Sequence, residues 1–204
     1  MTARTFSGAE LRPLCDELAS RDPRLRHVID EFGYPPFWSR PNTFESLVWF
    51  ILEQQVSLAS AKAALEKLRE RVGLVTPENV LALSDEELRA AYFSRQKTAY
   101  VRGLAQEIVD GHLDLTDLEG RADDQIRERL VKLKGIGNWT VDVYLILVLH
   151  RVDLFPAGDL AAVNGLRRLN GLPRKATIDD VTAVWTPYRT IGTLIVWHYY
   201  LSRA

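Results

Sequence analysis

The chain of 204 residues holds a single cysteine, Cys15. That excludes a disulfide framework, a multi-cysteine zinc site and a four-cysteine iron–sulfur cluster supplied by this chain alone, and it makes a reducing compartment the natural setting. Charge of one sign is also scarce: 26 Lys and Arg against 27 Asp and Glu give a net charge of −1, which argues against a general polyanion binder. The balance is uneven, with 17 basic against 22 acidic residues over 1–131 and 9 against 5 over 132–204, so a local basic surface is compatible with it. Long hydrophobic runs are missing. The stretch "VYLILVLH" is far shorter than a membrane span, and the opening "MTARTFSGAELRPLC" lacks the apolar core of a signal peptide, so a cytoplasmic protein without membrane contact is expected. No Gly/Ser-rich or Pro-rich linker and no repeat of fixed period divides the sequence. The length then fits one compact domain, or two small lobes sharing a core.

What is present is helical periodicity, with no sustained strand alternation. "SGAELRPLCDELAS" starts with Ser7 as a cap, and "NTFESLVWFILEQQVS" has Asn42 or Thr43 before its first turn. "SLASAKAALEKLRERVG" stops at Gly73, "TPENVLAL" carries Pro77 early, and "SDEELRAAYF" has Ser84 before an acidic turn. "RQKTAYVRGLAQEIVDG", "RADDQIRERLVKL", "DLAAVNGLRRLNG", "TIDDVTAVW" and "YRTIGTLIVWHYYLSRA" bring the expected total to ten to twelve helices in an all-α fold. "FGYPPFWSRPN", with three prolines and four aromatics, reads as an irregular loop packed over helices.

The most informative stretch is "LKGIGNWTVDVYLILVLHRVDLFPAGDLA", Leu133 to Ala161. Two glycines around an isoleucine turn the chain sharply between helices and let another backbone approach closely. The helix that follows starts with N–H groups unpaired within it and the positive end of its dipole, which together suit a phosphate. A plain helix-to-helix turn has the same appearance. Asp159, behind a Pro-Ala-Gly turn, is well placed to cap "LAAVNGLRRL", where the helix dipole favours a carboxylate.

The pattern Leu133-x-Gly135-Ile136-Gly137 followed by Thr140 resembles the helix-hairpin-helix motif that grips DNA backbones, with Lys134 where that motif often has proline. "FESLVWFILEQQVSLASA", "YFSRQKTAYVRGLAQEI", "GIGNWTVDVYL", "DLFPAGDLA" and "WTPYRTIGTLIVW" follow in an order similar to that of the helix-hairpin-helix superfamily of DNA glycosylases, 3-methyladenine DNA glycosylase II type. Only 43 residues precede Phe44, so the resemblance is to a short form without the extra N-terminal domain. It implies a single domain over 1–204 of two interleaved helical lobes, with the hairpin at 133–140 and an active-site cleft between the lobes. The partner implied is double-stranded DNA with damaged bases, bound by a monomer in the bacterial nucleoid without a cofactor.

Residue by residue, the resemblance makes Asp159 the catalytic carboxylate. It places Trp139 and Trp197 at aromatic positions of the base pocket, where electron-rich indoles suit a cationic base. Trp49 and Trp185 are expected in the core. Lys134, Gly135, Ile136, Gly137 and Thr140 belong to the DNA-gripping hairpin, and the carbonyls of Leu133 and Ile136 would hold a structural alkali cation. Gln54 and Gln55 match the position that fills the gap left by a flipped base, Gln55 foremost; capping a buried helix end is the alternative. Lys97 and Arg189 are candidates for phosphate contacts or for internal ion pairs. The activity implied is hydrolytic release of alkylated purines. A glycosylase for oxidised or deaminated bases, and a hairpin module without catalysis, are the alternatives. Trp139 occupies the place, two residues after the second glycine, where bifunctional superfamily members carry an attacking lysine, so strand cleavage is not expected.

Overall fold

Two helices in this sequence are apolar on nearly every side, and each becomes the centre of a packing unit, as a helix without a polar face must. The computed structural model describes residues 4–203. Among them the chain forms α1 (Gly8–Arg21), α2 (Pro23–Phe32), α3 (Phe44–Glu53), α4 (Leu58–Val72), α5 (Pro77–Leu81), α6 (Asp85–Ala90) and α7 (Arg95–Val109). It continues with α8 (Leu115–Glu119), α9 (Asp123–Leu130), α10 (Asn138–Leu147), α11 (Leu160–Asn170), α12 (Asp179–Ala183) and α13 (Arg189–Ser202). The only extended pairing among the described residues is an isolated bridge between Thr5 and Arg151. No helix among them is long and apolar enough to cross a membrane.

The expected all-α fold is present, with more helices than expected. The additional ones, α2 and the short α8, start at Asp22 and Asp114, whose carboxylates accept from the N–H of Arg24 and Thr116. The other starts follow the local chemistry. Thr43, Ser57, Thr76, Ser84 and Ser94 each accept from an N–H in the first turn of the next helix. Gly73, at φ 69°, ends α4 as expected.

The chain divides into two packing units. One is Arg40–Tyr144; the other is made of residues 4–39 and 145–203. In the first, α3 packs on α4 and α7, and α7 also meets α5 and α6. Seven of the ten residues of α3 are buried, including Phe44, Leu47, Phe50 and Ile51. In the second unit α13 touches α1, α2, α11 and α12, and it is buried continuously from Thr190 to Trp197. Gly165 of α11 lets α13 come close: a Cβ there would sit 2.8 Å from Val196 Cγ1 and 3.1 Å from its carbonyl oxygen.

The irregular stretch from Gly33 to Asn42 packs as expected, each part on its own unit. Phe37 stacks on His150 at 4.8 Å and meets Phe6 edge-on at 5.8 Å, and Trp38 and Trp197 meet in a T-shaped contact at 6.4 Å. In the other unit Arg40 pairs with Glu53 at 2.6 Å and lies 3.9 Å above the Trp49 ring. Trp49 is half-buried, whereas Trp185 is fully buried.

Trp185 shows how the second unit reconciles polarity with burial. Its indole N–H donates to Oδ2 of Asp22 at 2.9 Å, and Asp22 also takes Arg24 Nε at 2.7 Å while capping α2. Burial raises the Asp22 pKa, but the bonds from Arg24 and Trp185 outweigh it and hold the carboxyl below its ordinary value. A depressed carboxyl stabilises the fold above its unfolded pKa of about 3.9 and loses that contribution as pH falls through the folded value. Asp22→Asn is therefore expected to lower the thermal midpoint clearly at pH 7. The gap to the unmodified protein should narrow as melting is repeated towards pH 3.

Candidate nucleic-acid interface and catalytic carboxylate

The hairpin lies in the first unit, between α9 and α10. Arg127 of α9 donates to Asn138 Oδ1 at 3.1 Å and to Asp142 Oδ1 at 2.6 Å, tying the two helices together across the turn. Burial raises the Asp142 pKa, and the hydrogen bond and charge of Arg127 only partly offset it. Inside the turn Ile136 is buried, and its N–H closes on the Leu133 carbonyl at 3.0 Å.

The two glycines have different tasks. Gly135 adopts φ +94°, and a Cβ there would overlap the Tyr100 ring and sit 2.7 Å from Tyr100 Cβ. It lets α7 approach the turn. Gly137 has no atom within 4 Å of the place a Cβ would occupy and is exposed, as are Lys134 and Asn138. The surface of the turn is therefore backbone and one lysine, ahead of the α10 N-terminus.

Gln54 fixes this turn from α3. Its amide nitrogen donates to the Gly135 carbonyl at 2.8 Å and to Thr140 Oγ1 at 3.1 Å. These two bonds tie the C-terminal end of α3 to the turn. Thr140 is 1 % exposed, so its side chain braces the hairpin from within instead of facing a ligand. Gln55, by contrast, is exposed and sits at φ 58°, at the tip of the α3–α4 connection with exposed Val56 and Leu58. Lys97 is half-buried: its ammonium donates to the Leu52 carbonyl at 2.6 Å, and burial lowers its pKa. Trp139 lies half-buried in the first turn of α10.

Asp159 belongs to the second unit. The Pro-Ala-Gly turn closes through the Asp159 N–H on the Pro156 carbonyl at 2.8 Å, which delivers Asp159 as the N-cap of α11. Its Oδ1 accepts from the Ala162 N–H at 2.8 Å and from the Trp197 indole N–H at 2.9 Å. The segment before that turn is held by α13. The Thr190 N–H donates to the Val152 carbonyl, and its hydroxyl donates to the Arg151 carbonyl at 2.6 Å and accepts from the Leu154 N–H at 3.0 Å. Of the alternatives for Arg189, the internal ion pair is the one present: Nε reaches Asp153 Oδ1 at 2.7 Å and Nη2 reaches Oδ2 at 3.0 Å, and this bonding raises the Arg189 pKa. The sequence reading did not find Asp153, Tyr100 or Trp38, whose roles depend on contacts far along the chain.

A cation held by the turn would need oxygen donors, and backbone carbonyls suit a hard ion. The Leu133 carbonyl, with two lone pairs, retains one while accepting from Ile136. The unequal glycines carry a prediction. Gly135→Ala should cost about 2–4 kcal/mol in urea unfolding, from a positive φ and overlap with Tyr100 together. Gly137→Ala should unfold at nearly the same urea concentration as the parent.

Comparison with known proteins places this architecture. A family model described as the HhH-GPD superfamily base excision DNA repair protein matches residues 48–186. DNA-3-methyladenine glycosylase 1 of Schizosaccharomyces pombe is 30% identical over 181 residues, covering 85% of this chain and 79% of that one. Among solved structures, an S. pombe 3-methyladenine DNA glycosylase in complex with abasic DNA superposes with a TM-score of 0.83 at 28% identity, covering 91% of this chain and 95% of that one. A DNA-3-methyladenine glycosidase from Bacillus halodurans gives a TM-score of 0.74 at 33% identity, covering 95% and 91%. Two Bacillus subtilis relatives are longer, and the chain spans 64% and 65% of their lengths. The all-α fold is thus that of a known lineage, and the chain belongs to the HhH-GPD superfamily of base excision DNA repair proteins.

Proposed function

We propose that this chain is a monofunctional DNA glycosylase that releases alkylated purines of the 3-methyladenine and 7-methylguanine type from double-stranded DNA, acting as a monomer. The observation that carries the reading is Asp159: a partly exposed carboxylate fixed at a helix N-terminus by a backbone N–H and an indole N–H. As the bond between base and deoxyribose stretches, positive charge develops on the sugar. A carboxylate already oriented beside it stabilises that charge more than it stabilises the ground state.

An alkylated purine is already cationic, so it departs without a second carboxyl acting as acid. One aspartate is enough for this substrate class, unlike sugar hydrolysis, which uses a pair. The base has to leave the stack first. Trp139 supplies the electron-rich ring for a cationic base, and exposed Gln55 fills the space left in the duplex. The exposed Lys134, Gly137 and Asn138 of the turn, with the α10 N-terminus, hold phosphates. This grip reads no sequence and needs little positive charge, which reconciles DNA binding with a net charge of −1. An alkali ion on the Leu133 and Ile136 carbonyls would brace the turn and take no part in the reaction.

Water is the nucleophile in this reading. The position two residues after Gly137 is Trp139, and Lys132 and Lys134 both precede the turn, Lys132 being paired with Glu128 at 3.1 Å. The test is a panel of duplexes, each with one damaged base, incubated with the wild-type chain. Release of 3-methyladenine and 7-methylguanine is expected, with strands intact until hot alkali and no protein–DNA adduct trapped by borohydride. Release only from oxidised or deaminated duplexes, or tight binding with no release, would replace the proposal. A trapped adduct with nicking at neutral pH would move the chain to the lyase branch.

A further inference from the structure

The second unit contains two tryptophans that donate their indole N–H to a helix-capping aspartate. Trp185 does so to Asp22 at the start of α2, and Trp197 to Asp159 at the start of α11. The two pairs differ in access. Asp22 is 2 % exposed and closed off by Arg24, whereas Asp159 is partly open to solvent. The same device therefore serves a structural carboxylate in one place and an accessible one in the other.

We propose that Trp197 is a positioning residue for Asp159, acting through its indole N–H and not as a stacking surface for the flipped base. The inference rests on Asp159 being the catalytic carboxylate. Three observations support it. Trp197 is only 9 % exposed and is in T-shaped contact with Trp38 at an interplanar angle of 78°, so little of the ring remains for a base to cover. An indole N–H is a donor with no acceptor capacity, and when buried it must find an oxygen; the oxygen here is Asp159 Oδ1 at 2.9 Å. The same Oδ1 also takes the Ala162 N–H, so donors from two separate helices, α11 and α13, converge on one atom.

One donor would leave the carboxylate able to swing about its side-chain torsions. Two donors, the Ala162 N–H of α11 and the Trp197 indole N–H of the closely packed α13, hold Oδ1 before DNA arrives, which is the condition for electrostatic stabilisation without reorganisation during the reaction. A stacking role and a positioning role make opposite demands on the ring. Stacking needs the aromatic face and is indifferent to the N–H. Positioning needs the N–H and is indifferent to the face.

The test removes the N–H while keeping an aromatic ring. Trp197→Phe is one variant; the second places benzothienylalanine at position 197, which keeps the indole shape with sulfur in place of the N–H and guards against loss of packing. Single-turnover release from a saturating 7-methylguanine duplex is expected to fall about 10- to 100-fold in both, the scale of a small misplacement of a reacting group. The Kd for a duplex carrying a tetrahydrofuran abasic analogue should stay within about twofold, and adding Trp197→Phe to Asp159→Asn should cause no further loss, because residues acting through one another are not additive. Wild-type rates in both variants would overturn the inference, as would a rise in Kd that matches the loss of rate, or a loss that persists in the Asp159→Asn background. A wild-type chain that releases no alkylpurine would instead overturn the proposed function, and this role with it.

Discussion

The second unit depends on the burial of α13. A helix with no exposed face must find a partner for every polar group it carries. Thr190 binds the backbone of Arg151, Val152 and Leu154, Arg189 grips Asp153, and Trp197 reaches Asp159. These partners lie along one short run of chain, Arg151 to Asp159. The polar groups of a single buried helix thus act as a template that holds the segment on which the candidate catalytic carboxylate stands. Gly165 and Gly192 allow this closeness, the first against Val196 and the second against the Trp185 ring, whose Cδ2 would lie 2.6 Å from an added Cβ.

The first unit solves a related problem for the hairpin. A turn that offers its backbone outward needs its inner side fully satisfied, or the strain of presentation would unfold it. Gln54 supplies both amide hydrogens to that inner side, Arg127 bridges the flanking helices, and Tyr100 fills the hollow against Gly135. The outer side then consists of Lys134, Gly137 and Asn138, all exposed. The inner face of the turn is thus given to packing, and the outer face is left open to solvent.

Much of this was legible in the sequence because it is local. Ser84 with Glu87, Thr76 before Pro77, and Gly73 after α4 are cap and stop signals that need no tertiary context, and the spacing Gly135-Ile136-Gly137 announced a tight turn. The start of α2 could have been read from Asp22 and Pro23 ahead of Leu25, Val28 and Ile29 on one face. What was not legible is who partners whom. Trp185 and Asp22 are 163 positions apart, and nothing local distinguishes a tryptophan that donates to a carboxylate from one that stacks. The same limit separates Gln54 from Gln55. They are adjacent and identical, yet Gln54 turns inward to the hairpin while Gln55, at positive φ, projects outward. Lys97 satisfies a carbonyl at the end of α3, a role that neither charge nor spacing announces.

The central claim is that the charge of Asp159, held in place by α11 and α13, does the chemistry. The most direct measurement is the single-turnover rate of 3-methyladenine release by Asp159→Asn, which keeps the shape of the side chain and removes its charge. The account predicts a loss of about two to four orders of magnitude, the scale of an electrostatic contribution of about 3–5 kcal/mol, with DNA affinity retained. Release at the wild-type rate would contradict it and transfer the catalytic role to another residue.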